Sequence, residues 1–123
     1  MSTLKTNTLS NVAGTASTAI ENAINGSAKA WVNFNGTGTV AIRASYNVSS
    51  ITDNGTGMYT VNFTTAMPDA NFSALASAGN AANGALSMVG QNSPNTVSSV
   101  QISVITYLGA AVDPVYLNVS IFR

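Results

Sequence analysis

The fold is decided by two stretches of the sequence: AWVNFNGTGT at residues 30–39 and SYNVSSITDNGTGMYTVNFT at residues 45–64. In both stretches apolar and polar residues alternate, which is the period of a β-strand. The triplets GTG at 36–38 and DNG at 53–55 interrupt the alternation, and Asn and Gly accept the positive φ angles of tight turns. The two stretches therefore predict three strands and two turns, with an antiparallel hairpin around the second turn.

The most regular alternation runs through residues 40–48. It places five apolar side chains on one face: Val40, Ile42, Ala44, Tyr46 and Val48. Such a face is usually buried, so we expect one long strand with Ile42 and Tyr46 in the core. The same argument places Tyr59 and Val119 in the core. An aspartate at Ile42 or Val119 is then expected to lower the free energy of unfolding by several kcal/mol.

Further alternating segments follow towards the C-terminus. They lie around residues 72–78, 86–90, 99–104 and 115–122, and they are separated by loops at 79–84 and 91–95 and by a turn at 113–114. Short strands at regular spacing, with Gly or Pro between them, are typical of an all-β domain. We predict an antiparallel two-layer β-sandwich or jelly-roll-like domain over residues 28–123.

Residues 1–27 form a separate segment by composition. They are rich in Thr, Asn, Ser and Ala and contain no aromatic residue. A short helix is predicted over residues 17–25, with Ser17 as its N-cap and Asn25-Gly26 as its stop, and a flexible arm is the alternative. Three copies of a helical arm could pack together on an axis through their large apolar side chains. The predicted oligomer contacts in the arm are Leu4, Leu9, Ile20 and Ile24.

The composition is unusually poor in charge. Of 123 residues, 7% are charged, against about 25% in an average domain, and the formal net charge is zero. Such a surface argues against nucleic acid as a partner, because that binding depends on Lys and Arg neutralising phosphates. No apolar run approaches the length of a membrane helix, and we expect neither a signal peptide nor membrane insertion.

The low charge also bears on the edges of the predicted sheets. Sheet proteins usually protect their edges with Lys, Glu or Pro, and few such residues are available here. We therefore expect the edges to be covered by other copies of the chain or by a larger particle. A monomer with bulged or very short edge strands is the alternative.

Catalytic side chains are scarce. The chain has no His and no Cys, which removes the usual general base and the soft metal ligands. Three of the four acidic residues fall in predicted turns, where Asp commonly bonds the nearby backbone. We expect no enzyme, no cofactor and no metal site, and a Ca²⁺ site at Asp53 and Asn54 is the weaker alternative.

Three aromatic residues lie opposite the aliphatic face of their segments: Trp31, Tyr107 and Tyr116. Aromatic side chains anchor protein interfaces, so a subunit contact is the preferred interpretation. They could alternatively stack on sugar rings, with Asn and Asp side chains binding the hydroxyls. That second interpretation would make a glycan-binding site.

The chain resembles a domain found in bacteriophage virion proteins, mainly fibre and other tail-associated proteins of marine phages. The resemblance covers residues 28–123 and is carried by the stretches 30–39 and 45–64 and by the closing VSIFR at 119–123. It implies a virion structural protein that is assembled in the host cytoplasm, with other virion proteins as partners. A small homotrimeric fibre, spike or tip on capsid or tail is the expected role.

The resemblance also implies how the chain would be arranged on a particle. Residues 1–27 would attach to the particle, and the β domain would display its loops to a host surface, with a host glycan as a candidate partner. The candidate receptor residues are Asp53, Asn54, Thr56, Asn80, Asn83, Asn92 and Asn95. A capsid decoration or cement protein is the alternative, and a free carbohydrate- or ice-binding module is a further one.

Overall fold

The computed structural model describes residues 2–3, 5–81, 85–89 and 93–123, which are mostly β. These residues form one short helix, α1 (Ile20–Gly26), and ten strands: β1 (Thr8–Ser10), β2 (Ser17–Ala19), β3 (Ala30–Asn35), β4 (Ala41–Tyr46), β5 (Val48–Asp53), β6 (Met58–Phe63), β7 (Ser73–Gly79), β8 (Ala85–Val89), β9 (Ser99–Thr106) and β10 (Tyr116–Phe122). The prediction of an all-β chain is confirmed. No helix in the described part of the chain is long and apolar enough to cross a membrane.

The strands form three antiparallel sheets. The first is the small hairpin β1-β2, and the other two have four strands each, in the orders β4-β3-β10-β7 and β5-β6-β9-β8. Neither four-stranded sheet closes on itself within the described residues, so β4, β7, β5 and β8 are edge strands. The alternating segments predicted after residue 70 correspond to β7, β8, β9 and β10.

Both four-stranded sheets contribute to a single hydrophobic cluster. The contributing residues alternate along the central strands, and the largest of those that are fully buried are Phe34, Tyr59, Ile102, Leu117 and Ile121. The rings of Phe34 and Tyr59 meet edge to face with centroids 5.3 Å apart. Tyr59 is 0% exposed and Val119 is 2% exposed, so the prediction that both lie in the core is confirmed.

The long strand predicted through residues 40–48 is wrong, because the chain changes sheets in its middle. Asn47 has a φ of 54° and separates β4 from β5. Its side-chain amide donates to Lys29 O at 3.0 Å and Thr65 O at 3.1 Å, while its Oδ1 accepts from the Thr65 amide at 2.7 Å. Asn tolerates this left-handed conformation better than most residues, and its side chain fixes the corner.

The predicted burial of Ile42 and Tyr46 is also wrong. Ile42 is 38% exposed and Tyr46 is 58% exposed, because both lie on the edge strand β4. The register between β3 and β4 shifts after Asn33, and Tyr46 is paired with the outward-facing Trp31. A shift of this kind reverses the face to which the following residues point.

The predicted hairpin around residues 53–55 is confirmed as β5-β6. In the turn, Asp53 Oδ1 accepts from the Gly55 amide at 2.9 Å, and the Asn54 side chain donates to Thr60 Oγ1 at 2.8 Å. Gly57 adopts a φ of +68° where a Cβ atom would collide with the backbone oxygen of Val104. Only glycine fits this position without strain.

Residues 8–26 differ from the predicted arm in detail. Ser17 belongs to β2 rather than capping a helix, and α1 starts at Ile20 after Ala19, without a side-chain cap. The β1-β2 hairpin has three residues in each strand, and its loop is held by the side chain of Asn11, which donates to Thr15 Oγ1 and accepts from the Ala16 amide. None of the described residues among 2–27 is buried.

Candidate functional site

The clearest candidate site is one side of the sheet β4-β3-β10-β7. Its inward side chains belong to the hydrophobic cluster, and the alternate residues point away from that cluster. We call this second set the outer face. It includes Trp31, Asn33, Arg43, Tyr46, Leu75, Ser77, Tyr116, Asn118 and Ser120.

The first row across the outer face, which we call the aromatic row, carries mostly large apolar side chains. Cross-strand pairing aligns Tyr46, Trp31, Ser120 and Leu75 in that order from one sheet edge to the other. Tyr46 and Trp31 are directly opposite each other, and such pairs have Cβ atoms about 5 Å apart. Trp31 is 40% exposed and Leu75 is 57% exposed, so these large side chains remain available to a partner.

The second row, which we call the amide ladder, consists of uncharged polar side chains that hydrogen-bond to one another. Asn33 donates from its side-chain amide to Asn118 Oδ1 at 2.6 Å, and Asn118 donates in turn to Ser77 Oγ at 3.4 Å. Cross-strand pairing of β3, β10 and β7 brings these three residues side by side. The bonds between them fix the direction of each amide without consuming all of its donors and acceptors.

The third row places a cation on an aromatic ring. The guanidinium carbon of Arg43 lies 4.4 Å from the centroid of the Tyr116 ring, a distance at which a cation is attracted to a ring face. Tyr116 is 46% exposed. Arg43 is the one charged residue of the outer face, so the face combines aromatic and aliphatic surface with neutral hydrogen-bonding groups.

The structure brings together two of the three predicted aromatic contacts. Trp31 and Tyr116 both lie on the outer face, whereas Tyr107 is in the turn after β9, where it is 69% exposed. Tyr46, for which alternation predicts burial, also belongs to the site. Asn47 is a local signal for the break between β4 and β5, but the register shift that turns Tyr46 outwards lies before it, between the pairs Asn33–Ala44 and Phe34–Ile42.

The predicted contacts of the arm are all accessible where the structure describes them. Leu9 is 42% exposed in β1, Ile24 is 54% exposed in α1, and Ile20 is half-buried at the start of the helix. Leu9 lines a shallow surface pocket of about 370 Å³ on the β1-β2 hairpin. Leu4 lies outside the described residues.

The predicted receptor loops are spread over the molecule. Asp53, Asn54 and Thr56 are exposed in the β5-β6 turn, and Asn80 is exposed after β7 with a φ of 52°. Asn95 is half-buried before β9. Asn83 and Asn92 lie outside the described residues.

A partly buried polar cluster links the loops that contain Gly36, Gly57 and Asp113. Tyr59 Oη lies 2.7 Å from Asp113 Oδ1 and 3.0 Å from Gly36 O, and the same Asp113 oxygen accepts from the Gly57 amide at 2.7 Å. Burial, followed by the hydrogen bond to Asp113, raises the pKa of the Tyr59 phenol far above its usual range. The phenol therefore stays protonated and serves as a structural donor.

Asp69 forms an ion pair with Arg123. Asp69 accepts two bonds from Arg123, at 2.9 Å from Nε and 2.5 Å from Nη2, and this contact lowers the pKa of the Asp69 carboxyl. No group of three or more His, Cys, Asp or Glu residues that could hold a metal ion occurs among the residues the structure describes.

The comparisons with known proteins add no relatives. No model of a known protein family matches the chain, and neither the curated proteins nor the solved structures contain a match.

Proposed function

We propose that this chain is a structural protein of a phage particle: a small self-assembling fibre, spike or tip, trimeric, whose copies are held together by residues 1–27. The resemblance of residues 28–123 to virion fibre and tail-associated domains supports the placement in a virion on capsid or tail, with other virion proteins as neighbours. The neutral, charge-poor composition supports partners other than nucleic acid, and it suits a role in assembly rather than catalysis.

The observation that carries the assembly role is the exposure of the arm. None of its described residues is buried, and three of its large apolar side chains are exposed: Leu9 by 42%, Val12 by 109% and Ile24 by 54%. An isolated two-stranded hairpin is marginal in water, and so is a helix of seven residues. The arm therefore needs a second surface, and other copies of the same arm supply one with matching apolar groups.

The two four-stranded sheets support the finer description of the fold as a two-layer β-sandwich or jelly-roll-like domain. Both sheets direct alternate residues into one hydrophobic cluster, which is the arrangement that two packed layers require. Such a domain would form the projecting part of the particle component.

Sedimentation of the purified full chain tests the assembly. We expect a native mass three times the 12.5 kDa of one chain. The double substitution Leu9→Asp and Ile24→Asp should reduce the species to one chain, because three carboxylates at each position would repel one another on the axis. Leu108→Asp is the matched control, since Leu108 is 73% exposed outside the arm, and its native mass should not change.

A wild-type chain that sediments as a monomer would contradict the self-assembled fibre. It would leave the arm to be covered by the particle, as in a capsid decoration or cement protein. In that case, particles lacking the protein should be weaker than complete particles under heat or in low salt.

A further inference from the structure

The outer face remains unexplained by assembly through the arm. We propose that it binds an uncharged oligosaccharide, with the exposed rings of the face stacking against sugar rings and the amide ladder exchanging hydrogen bonds with hydroxyl groups. This surface is separate from the arm, so the inference stands or falls independently of the assembly proposed above.

The aromatic row provides the stacking surface. Trp31 and Tyr46 are paired across β3 and β4 and are 40% and 58% exposed. Side chains of this kind present an apolar ring body together with a polar edge, which suits a ligand that is itself amphipathic. A sugar ring has the same character, with C–H groups on its faces and hydroxyls around its rim.

The amide ladder provides the polar groups. Asn33 uses one N–H for Asn118, and its second N–H and its Oδ1 have no protein partner among the described residues. A protein surface packed over these groups would have to satisfy each of them with fixed geometry, or leave it buried and unpaired at a cost. Hydroxyl groups both donate and accept, and they rotate to suit the amide they meet.

The size of the face favours a small ligand over a second copy of the chain. Four strands about 4.8 Å apart and about 20 Å long present roughly 300 Å². A stable protein interface buries about 800 Å² on each partner. The outer face therefore matches a few sugar rings better than the contact area of a dimer.

The distribution of charge favours an uncharged ligand. Arg43 is the one charged member of the face, and its guanidinium lies over Tyr116 in the third row. The aromatic row and the amide ladder, which would make most of the contact, carry no charge. An acidic sugar would find one cation and no second group to share its negative charge.

The fluorescence of Trp31 reports directly on this face, because it is the single tryptophan of the chain. The full chain is titrated with maltohexaose, cellohexaose and chitohexaose, and in parallel with the acidic trisaccharide sialyllactose. We expect at least one neutral oligosaccharide to give a saturable change in Trp31 emission, with sialyllactose giving none. Far-UV circular dichroism checks that each variant below is folded.

Two substitutions leave the fluorophore in place and remove ligand contacts. Asn118→Ala deletes the centre of the ladder, and Tyr46→Ser deletes a stacking ring; each should weaken binding about tenfold. Tyr107→Ser is the matched control, because it removes another exposed tyrosine, 69% against 58% for Tyr46, that is not part of the outer face, and it should bind as the wild type does.

Three results would overturn the inference. One is the absence of any change with the neutral oligosaccharides at millimolar concentration, and another is a change with sialyllactose alone. The third is a lower native mass for Tyr46→Ser in sedimentation, which would make the outer face a subunit contact. The arm variants test assembly separately, so a trimer that binds no sugar refutes this inference and leaves the proposed function standing.

Discussion

Tyr59→Phe isolates the contribution of one buried hydroxyl group. The substitution keeps the ring, its edge-to-face contact with Phe34 and its place in the core, where it is 0% exposed. It removes the donor that lies 2.7 Å from Asp113 Oδ1 and 3.0 Å from Gly36 O. The hydroxyl can direct its single hydrogen to one of the two acceptors at a time, so the loss amounts to one strong bond and one weaker contact.

The expected loss of unfolding free energy depends on which hydrogen bonds the two acceptors retain. Asp113 Oδ1 retains the Gly57 amide at 2.7 Å, so its charge is not left without a partner. Loss of a buried hydrogen bond to a charged group costs about 2 kcal/mol of unfolding free energy. For a chain of 123 residues this corresponds to a melting temperature lower by roughly 8 °C.

Thermal unfolding followed by circular dichroism measures this change at neutral pH. Tyr46→Phe is the matched control, because Tyr46 is 58% exposed, and its melting temperature should stay within about 2 °C of the wild type. If Tyr59→Phe melted together with the wild type, the hydroxyl would contribute nothing net, and a stabilising role for the Tyr59–Asp113 contact would be refuted.

The same substitution should also change how the stability of the fold depends on pH in alkaline solution. Burial and the hydrogen bond to Asp113 raise the pKa of Tyr59 in the folded state above its ordinary value of 10.0. The folded state therefore holds this proton more tightly than the unfolded state does. The stability that results is fully present below pH 10.0 and is lost progressively as the pH rises above that value. Unfolding in urea above pH 10.0 should show a shallower loss of stability for Tyr59→Phe than for the wild type.

Three further changes test other parts of the fold. Val119→Asp should lower the unfolding free energy by about 4 kcal/mol or more, and Ile42→Asp by less than about 1 kcal/mol, in urea unfolding; equal losses would contradict the edge position of β4. Gly57→Ala should cost about 2 kcal/mol or more in the same assay, because its Cβ meets backbone, and a neutral result would mean that the turn rearranges. Arg123→Ala should raise the pKa of the Asp69 carboxyl towards its ordinary value, as measured by NMR titration, and an unchanged pKa would refute the contact. The stability that the Asp69–Arg123 pair contributes is present above the ordinary pKa of an aspartate and is lost as the pH falls below it.

Local sequence signals are sufficient to predict much of the structure of residues 28–123. The turn at Asp53-Asn54-Gly55 and its hairpin follow from residues adjacent in sequence, and the burial of Tyr59 and Val119 follows from alternation. These features depend on backbone conformations and side-chain periods that extend over a few residues. The outward position of Trp31 and Tyr116 follows from the same alternation.

The wrong predictions concern features that depend on the arrangement of the whole sheet and not on the pattern of neighbouring residues. Alternation in residues 40–48 distinguishes two faces, but it does not show that the chain changes sheets at Asn47 or that β4 is an edge with little packed against it. Ile42 is exposed because β4 is an edge strand, and Tyr46 also because the register shift before it turns it to the side of Trp31. The β1-β2 hairpin escapes prediction because three-residue strands are too short to carry a period.

The sequence by itself determined an all-β chain with low charge, strong turn signals and outward-facing aromatic residues, because composition, turn chemistry and side-chain period are properties of neighbouring residues. Tertiary structure alone decided which of these residues share a surface. Asn33 and Asn118 are 85 positions apart and meet only because β3 pairs with β10. The candidate site is a product of that long-range pairing, since the order of strands in a sheet is set by the packing of the whole core.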